Sequence, residues 1–255
     1  MNNRSFFIVS GTEALQYTRA FLEARGCKTT KTPQPDTTHL ILPVPAFQPD
    51  GHVTGGCDLD TILKEAPPSV TIIGGNLNSP ILQPYAKLDL LQDEGYLAQN
   101  AAVTAECALR VAGQQLPITL QETQVLILGY GRIAKCLAKL LDALGADVTI
   151  AARKESDLAM AAALGYNAIH LYRLPPRLGR YRLLFNTIPA LVLDEQQMTV
   201  SHPDCIKIDL ASKPGISGSG VIWARGLPGK MAPETAGQLI AKTILGHCMN
   251  KEVIV

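Results

Sequence analysis

The residues best suited to chemistry lie mid-chain, in the turn "LGYGRIA", where Gly129, Gly131 and Ala134 form the pattern G-x-G-x-x-A. An apolar run leads into this turn and a helix-like pattern leads out of it. In that setting each small residue has a task. The first permits a tight turn, the second lets backbone approach a pyrophosphate, and the third lets helix pack on strand. The helix that opens with Arg132 and Ile133 presents unpaired N–H groups and a partial positive charge to the phosphates. A glycine pattern alone is weak evidence, but strand, turn, helix and second strand all follow in "VLILGYGRIAKCLAKLLDALGADVTIAARK". The reading is a dinucleotide-binding turn.

The end of the second strand chooses between cofactors. A fold that binds NAD usually places Asp or Glu about 20 residues past the glycines, to bond the ribose hydroxyls. Here Ala151 and Ala152 occupy that place, and Arg153 and Lys154 follow at once. A carboxylate would repel a 2′-phosphate, whereas a guanidinium grips it through two parallel hydrogen bonds. The expected cofactor is NADP, with NAD as the alternative.

A second cationic feature stands in "IDLASKPG", where an apolar run ends and a loop begins. Ligands of α/β sheets bind at the carboxyl ends of strands, so Lys213 is a candidate to pair with a substrate carboxylate. Arg132 faces either a cofactor phosphate or a substrate anion.

The elements that must position these residues follow from the apolar pattern. From residue 100 onward, "TQVLILG", "DVTIAA", "RLLFNTIP" and "CIKIDLAS" alternate with helical or loop segments, as in a doubly wound parallel sheet. Before that, "SFFIVS", "THLILPVP" and "SVTIIGGNLN" read as strands of a smaller layer, with a helix after the first and a Pro/Gly-rich loop from Pro43 to Cys57. "NAAVTAECALRVAGQQLP" predicts a linking helix capped by Asn100 and ended by Gly113 and Pro117. The expected fold class is therefore α/β. A smaller N-terminal domain of Rossmann or flavodoxin-like kind spans 1–98, and a Rossmann domain with the linking helix spans 99–231. A C-terminal helix over 232–250 returns to the first domain.

Composition narrows the class further. A formal net charge of +1 over 255 residues provides no field that would draw nucleic acid or an anionic membrane. The apolar start of the chain is too short for a signal peptide, and the expectation is a cytoplasmic protein. Six well-separated cysteines show no zinc spacing, so no metal is expected and free thiols are.

The order of elements is similar to that of D-2-hydroxyacid dehydrogenases, which need a histidine base before the last helix. This chain has "ARGLPGKMAPETAG" there, without histidine. Oxidation of an alcohol by that route is not expected.

Together, "LGYGRIAKCLAKLLDALGADVTIAARK", "FNTIPALVL", "IDLASKPG" and "GLPGKMAPETAGQLIAKTI" resemble the family of dipicolinate synthase A subunits of spore-forming bacteria. "LILPVP" and the N-x-x-x-T-x-E of Asn100, Thr104 and Glu106 agree with it. The resemblance implies an NADP-linked enzyme of the mother cell during sporulation, on a branch of the lysine and diaminopimelate pathway. It would form dipicolinate from 4-hydroxy-tetrahydrodipicolinate or dihydrodipicolinate. It also implies a flavoprotein-like second subunit; a homo-oligomer is left open. Thr187 and Pro189 of "FNTIP", with Asp209 and Leu210, then join the glycine turn as cofactor-binding positions.

A dicarboxylate substrate needs at least two donors or cations. Lys213 and Ser212 are expected on one side, and Asn76 and Asn78 of "IIGGNLN" on the other. Thr104 and Glu106 are expected on nearly one face of the linking helix, with Glu106 as proton acceptor. Two departures stand out: the N-terminal domain is short, and Lys213 takes the place of the family's arginine. Two alternatives follow. One is a catalytically weak NADP-binding protein that supports a partner; the other is a dehydrogenase of another small acid.

Overall fold

The computed structural model describes residues 4–250, which divide into two compact units. One unit runs to Asn100 and takes in the chain again from Pro228; the other is Ala101–Leu227. Both are layered α/β structures with wholly parallel sheets.

The first unit is built on β1 (Ser5–Ile8), α1 (Glu13–Glu23), β2 (Lys28–Thr30), β3 (His39–Ile41), α2 (Leu59–Glu65), β4 (Thr71–Gly74) and β5 (Ala86–Asp89). Its sheet runs in the order β2-β1-β3-β4-β5. Phe6, Ile8, Leu40, Ile41, Ile72 and Ile73 fill the core from the three inner strands. The segment Pro43–Cys57 forms no regular element beyond a bridge between Phe47 and Val53.

The second unit follows as α3 (Glu94–Gln115), whose first residues lie before the division, then β6 (Gln124–Leu128), α4 (Arg132–Ala143), β7 (Asp147–Ala152), α5 (Glu155–Ala163), β8 (Asn167–His170), β9 (Leu183–Asn186), α6 (Glu195–Met198), β10 (Ile206–Asp209) and β11 (Val221–Trp223). The sheet order β11-β10-β9-β6-β7-β8 is the 3-2-1-4-5-6 winding of a dinucleotide-binding domain read from its other edge. Consecutive progress reverses between β6 and β9, and the crevice of such sheets opens at that switch point. α4 buries Ala134, Leu137, Ala138 and Leu141, a helical stripe that turns one face to the sheet.

The linking helix starts earlier than the sequence suggests. Asp93 caps it, its carboxylate accepting from Tyr96 N at 2.6 Å. Asn100 therefore lies inside α3, as does Gly113, and the helix stops just before Pro117. A strong acidic cap upstream outweighs a second capping residue at Asn100, because interior helical N–H groups already have partners.

The described residues end in α7 (Leu227–Met231) and α8 (Pro233–Asn250), and Leu239, Ile240 and Ile244 of α8 enter the core of the first unit. α8 lies tight on α1: a Cβ on Gly237 would stand 2.7 Å from Tyr17 Cβ, 2.9 Å from Thr18 N and closer still to Ala14 O. The Thr18 hydroxyl lies 3.0 Å from Ala14 O and 3.1 Å from Gly237 O. Gly237→Ala should thus melt several degrees lower. Overpacking against backbone costs about 1–3 kcal/mol, which outweighs the roughly 1 kcal/mol that alanine adds to a helix. A thermal melt checks this, and an unchanged midpoint would show that the helices part without cost.

Candidate functional site

The glycine turn sits at the switch point. Gly129 has a φ of 92°, a backbone region that side chains rarely adopt, and its N–H bonds Ala151 O at 2.8 Å. A Cβ there would meet Thr187 Oγ1 at 2.6 Å and Ile188 Cγ1 at 2.9 Å. Thr187, just past β9, closes the seam from the other side, donating to Leu128 O from its N–H at 3.0 Å and from its hydroxyl at 2.8 Å. The structure therefore brings Gly129 and Thr187 into direct contact.

Gly131 differs in kind. It is the N-cap of α4, in extended conformation, with no side chain capping the helix, and a Cβ placed on it would meet nothing within 4 Å. The turn is open where a phosphate would approach, and the helix end carries its N–H groups towards that space. Ala134 is fully buried against the sheet, as the small third position requires. Arg132 is exposed and Ile133 half-buried. Tyr130, inside the turn, is buried, which pushes its phenol up from its ordinary value.

Ala151 and Ala152 are buried at the end of β7, while Arg153 and Lys154 are exposed immediately beyond it. Lys154 occupies the N-cap position of α5 without a side-chain cap. Pro189 is exposed a short step past β9.

Asp209 has a different role from the one its position suggests. Its carboxylate is wholly buried and accepts from Asn186 Nδ2 at 2.9 Å, Ala211 N at 3.0 Å, Gly215 N at 2.7 Å and Ile216 N at 3.2 Å. Both oxygens are engaged by the protein, and the carboxylate ties the loop Ala211–Ile216 to β9. Leu210 is likewise interior, with its N–H on Asn186 O at 2.9 Å. Asn186 was not expected from sequence. It is fully buried and spans the knot, accepting from Ile188 N and donating to Ile188 O, both at 3.0 Å. Gly215 is the other unforeseen member: a Cβ would strike Asn186 Nδ2 and lie 2.6 Å from Ile188 O. The signal available in sequence was an Asn and an Asp at the ends of two adjacent apolar runs, with a glycine six residues past the Asp. From this pinned loop Ser212 and Lys213 project into solvent, and Lys213 has no hydrogen bond or ion pair with any described residue.

In the first unit Asn76 and Asn78 are both exposed beyond β4, on either side of buried Leu77. Asn76 has a φ of 60°. The loop is strapped by Asp89, which accepts from Asn76 N at 2.9 Å and Leu77 N at 2.8 Å.

Thr104 and Glu106 do not share a face. Thr104 is buried and Glu106 exposed on α3. Residues two apart are rotated by roughly 200° at about 100° per residue, so they point apart. The two side chains cannot act together on one ligand. Among the described residues no cluster of His, Cys, Asp and Glu is placed to hold a metal, and none of the six cysteines forms a disulfide.

No family model matches the chain. The A subunit of dipicolinate synthase of Bacillus subtilis (strain 168) is 28% identical over 248 residues, covering 90% of this chain and 84% of its own. The chain resembles the dipicolinate synthase A subunits. Solved structures agree on the fold. Dipicolinate synthase, A chain, from Bacillus subtilis superposes with a TM-score of 0.84 at 23% identity, over 99% of this chain and 98% of that one. The A subunit of the synthase from Bacillus halodurans gives 0.82 at 23% identity, over 96% and 97%. A transhydrogenase from Sinorhizobium meliloti gives 0.71 at 12% identity, over 96% and 94%. The likeness to the dipicolinate synthase A subunits thus spans both parallel-sheet units, and the same layout extends to a more distant protein.

Proposed function

We propose that this chain is an NADP-dependent oxidoreductase that forms dipicolinate. The observation that carries the reading is the open Gly131 turn at the switch point, with Arg153 in place of an acid at the end of β7, in a chain that resembles the dipicolinate synthase A subunits. Pyrophosphate would lie against the uncapped N-terminus of α4, and the 2′-phosphate would be held by Arg153, with Lys154 beside it. When bound, the nicotinamide accepts hydride. 4-Hydroxy-tetrahydrodipicolinate loses water to give dihydrodipicolinate, which loses a hydride and a proton to become the pyridine. Aromaticity drives that step, and no histidine is needed to oxidise an alcohol.

Lys213 and Ser212 supply a cation and a donor for a substrate carboxylate, on a loop held still by Asp209 and Asn186. Glu106, exposed on α3, is the proposed proton acceptor, acting without Thr104. Asn76 and Asn78 are the proposed donors of the first unit. The role is that of a sporulation enzyme in the cytoplasm of the mother cell. It works with a second, different polypeptide, since the Bacillus relative is one component of a synthase made of more than one.

The experiment is direct. The purified chain is given enzymatically made 4-hydroxy-tetrahydrodipicolinate and NADP⁺, and pyridine absorbance is followed with NADPH formation. Both signals should rise together; silence in both, with NADPH still binding, would overturn the reading. Lys213→Ala should raise the substrate KM roughly 10-fold or more, as a lost charged hydrogen bond of about 1.5–3 kcal/mol requires, with NADP(H) affinity little changed. Loss of cofactor instead would place Lys213 in the cofactor site.

A further inference from the structure

Trp223 is the sole tryptophan, and it stands about half exposed, at 49%, at the carboxyl end of β11. Large aromatic side chains are usually buried, and a half-bare indole at the ligand-binding end of a parallel sheet calls for a cause. It is also held in place: its Nε1–H donates to Ala211 O at 3.0 Å. The ring is thus fixed against the loop that carries Ser212 and Lys213.

Register places it more closely. Asn186, Asp209 and Trp223 are direct partners across β9, β10 and β11, so their side chains line one face of the sheet at its carboxyl end. The first two form the buried knot that pins Ala211 and Gly215, and the third covers the loop from the edge strand. A dinucleotide lies across the switch point with one nucleotide on each half of the sheet. Arg153 follows β7, on the β6–β8 half, so the reactive ring belongs to the β9–β11 half, where Trp223 and Lys213 stand.

We propose that Trp223 is a specificity-determining residue: its exposed face stacks on a planar, anionic ring whose carboxylate is drawn by Lys213. This rests on the proposed function and deepens it, since an aromatic face discriminates a flat pyridine from a puckered saturated ring of equal charge. The same loop supplies charge and the indole supplies shape.

The test uses the whole chain with NADPH present and two ligands of equal charge at neutral pH, pyridine-2,6-dicarboxylate and the saturated ring cis-cyclohexane-1,3-dicarboxylate. Dissociation constants are measured by calorimetry, and tryptophan emission is followed in the wild type. The wild type should bind the aromatic ligand roughly fivefold more tightly than the saturated one, the size expected of one aromatic pair, and quench its emission on binding. Trp223→Leu should erase that preference while NADPH binding is unchanged. Trp223→Phe keeps a ring but loses the bond to Ala211 O, and it should retain most of the preference. Equal affinity for both ligands in the wild type, or a preference surviving in Trp223→Leu, overturns the proposal. A preference lost equally in both variants shows that the indole only braces the loop, and also overturns it. If NADPH binds but neither dicarboxylate does, the substrate reading itself fails and the proposal falls with it, an outcome distinct from the others.

Discussion

Gly131→Val should sharply weaken NADP(H) binding while the protein stays folded. Glycine is not needed at this position by the backbone, which is extended and open to any residue. It is not needed by packing either, because a Cβ there would touch no protein atom within 4 Å. Replacing an N-cap glycine by valine costs the helix about 1 kcal/mol or less, little enough for the unit to remain native. What the side chain would occupy is the space in front of the uncapped α4 terminus, where the phosphates must come within hydrogen-bond reach of N–H groups. Loss of those contacts should weaken binding about 100-fold or more, which corresponds to roughly 2.7 kcal/mol. Titration of NADPH fluorescence gives the affinity, and circular dichroism gives the fold. Gly129→Ala, with a left-handed φ and Thr187 and Ile188 in the way, should instead lose stability as well as binding. If Gly131→Val binds NADPH normally, the turn serves packing alone.

The seven strands legible in the sequence, β1, β3, β4, β6, β7, β9 and β10, are the inner strands of the two sheets. The four that were not, β2, β5, β8 and β11, are the edges. The cause is physical. An inner parallel strand is covered on both faces and must be a nearly continuous apolar run, as "VLIL" and "LLF" are. An edge strand is covered less, so "KTT" and "NAIH" carry no such run and merge with loops. Trp223 was hidden for that reason: it ends a three-residue edge strand behind a glycine- and serine-rich stretch.

The site divides in a similar way. Backbone-determined features, the glycine turn and the charge after β7, are local in sequence and were readable there. Asp209 was not, because a carboxylate at a strand end reads equally as ligand contact or as scaffold. Only its four protein donors decide, and two of those lie six and seven residues further on. The pairing of Thr104 with Glu106 failed on helix geometry that the spacing already contained.

Arg153→Asp should reverse cofactor preference. In the wild type NADP(H) should bind more tightly than NAD(H), because Arg153 is exposed directly past buried Ala152 and its side chain has no competing carboxylate partner among the described residues. Two effects then act in the variant. A charge-assisted hydrogen bond worth about 1.5–3 kcal/mol is lost, and a carboxylate now faces the 2′-phosphate. Glu155 and Asp157 already place negative charge in the first turn of α5, close by in sequence. Lys154 remains as a point charge without the planar fork of arginine, and it holds only part of the interaction. The net weakening for NADP(H) should reach roughly 100-fold or more, at about 1.4 kcal/mol per tenfold change. NAD(H) should hold or gain, since a carboxylate at this strand end accepts from both ribose hydroxyls. Salt gives a second reading of the same contact: the wild-type preference for NADP(H) should shrink as ionic strength rises, because the site is exposed and screened. Equal affinity of the wild type for both cofactors, at low salt, would show that Arg153 and Lys154 are solvated surface charges and that cofactor choice lies elsewhere.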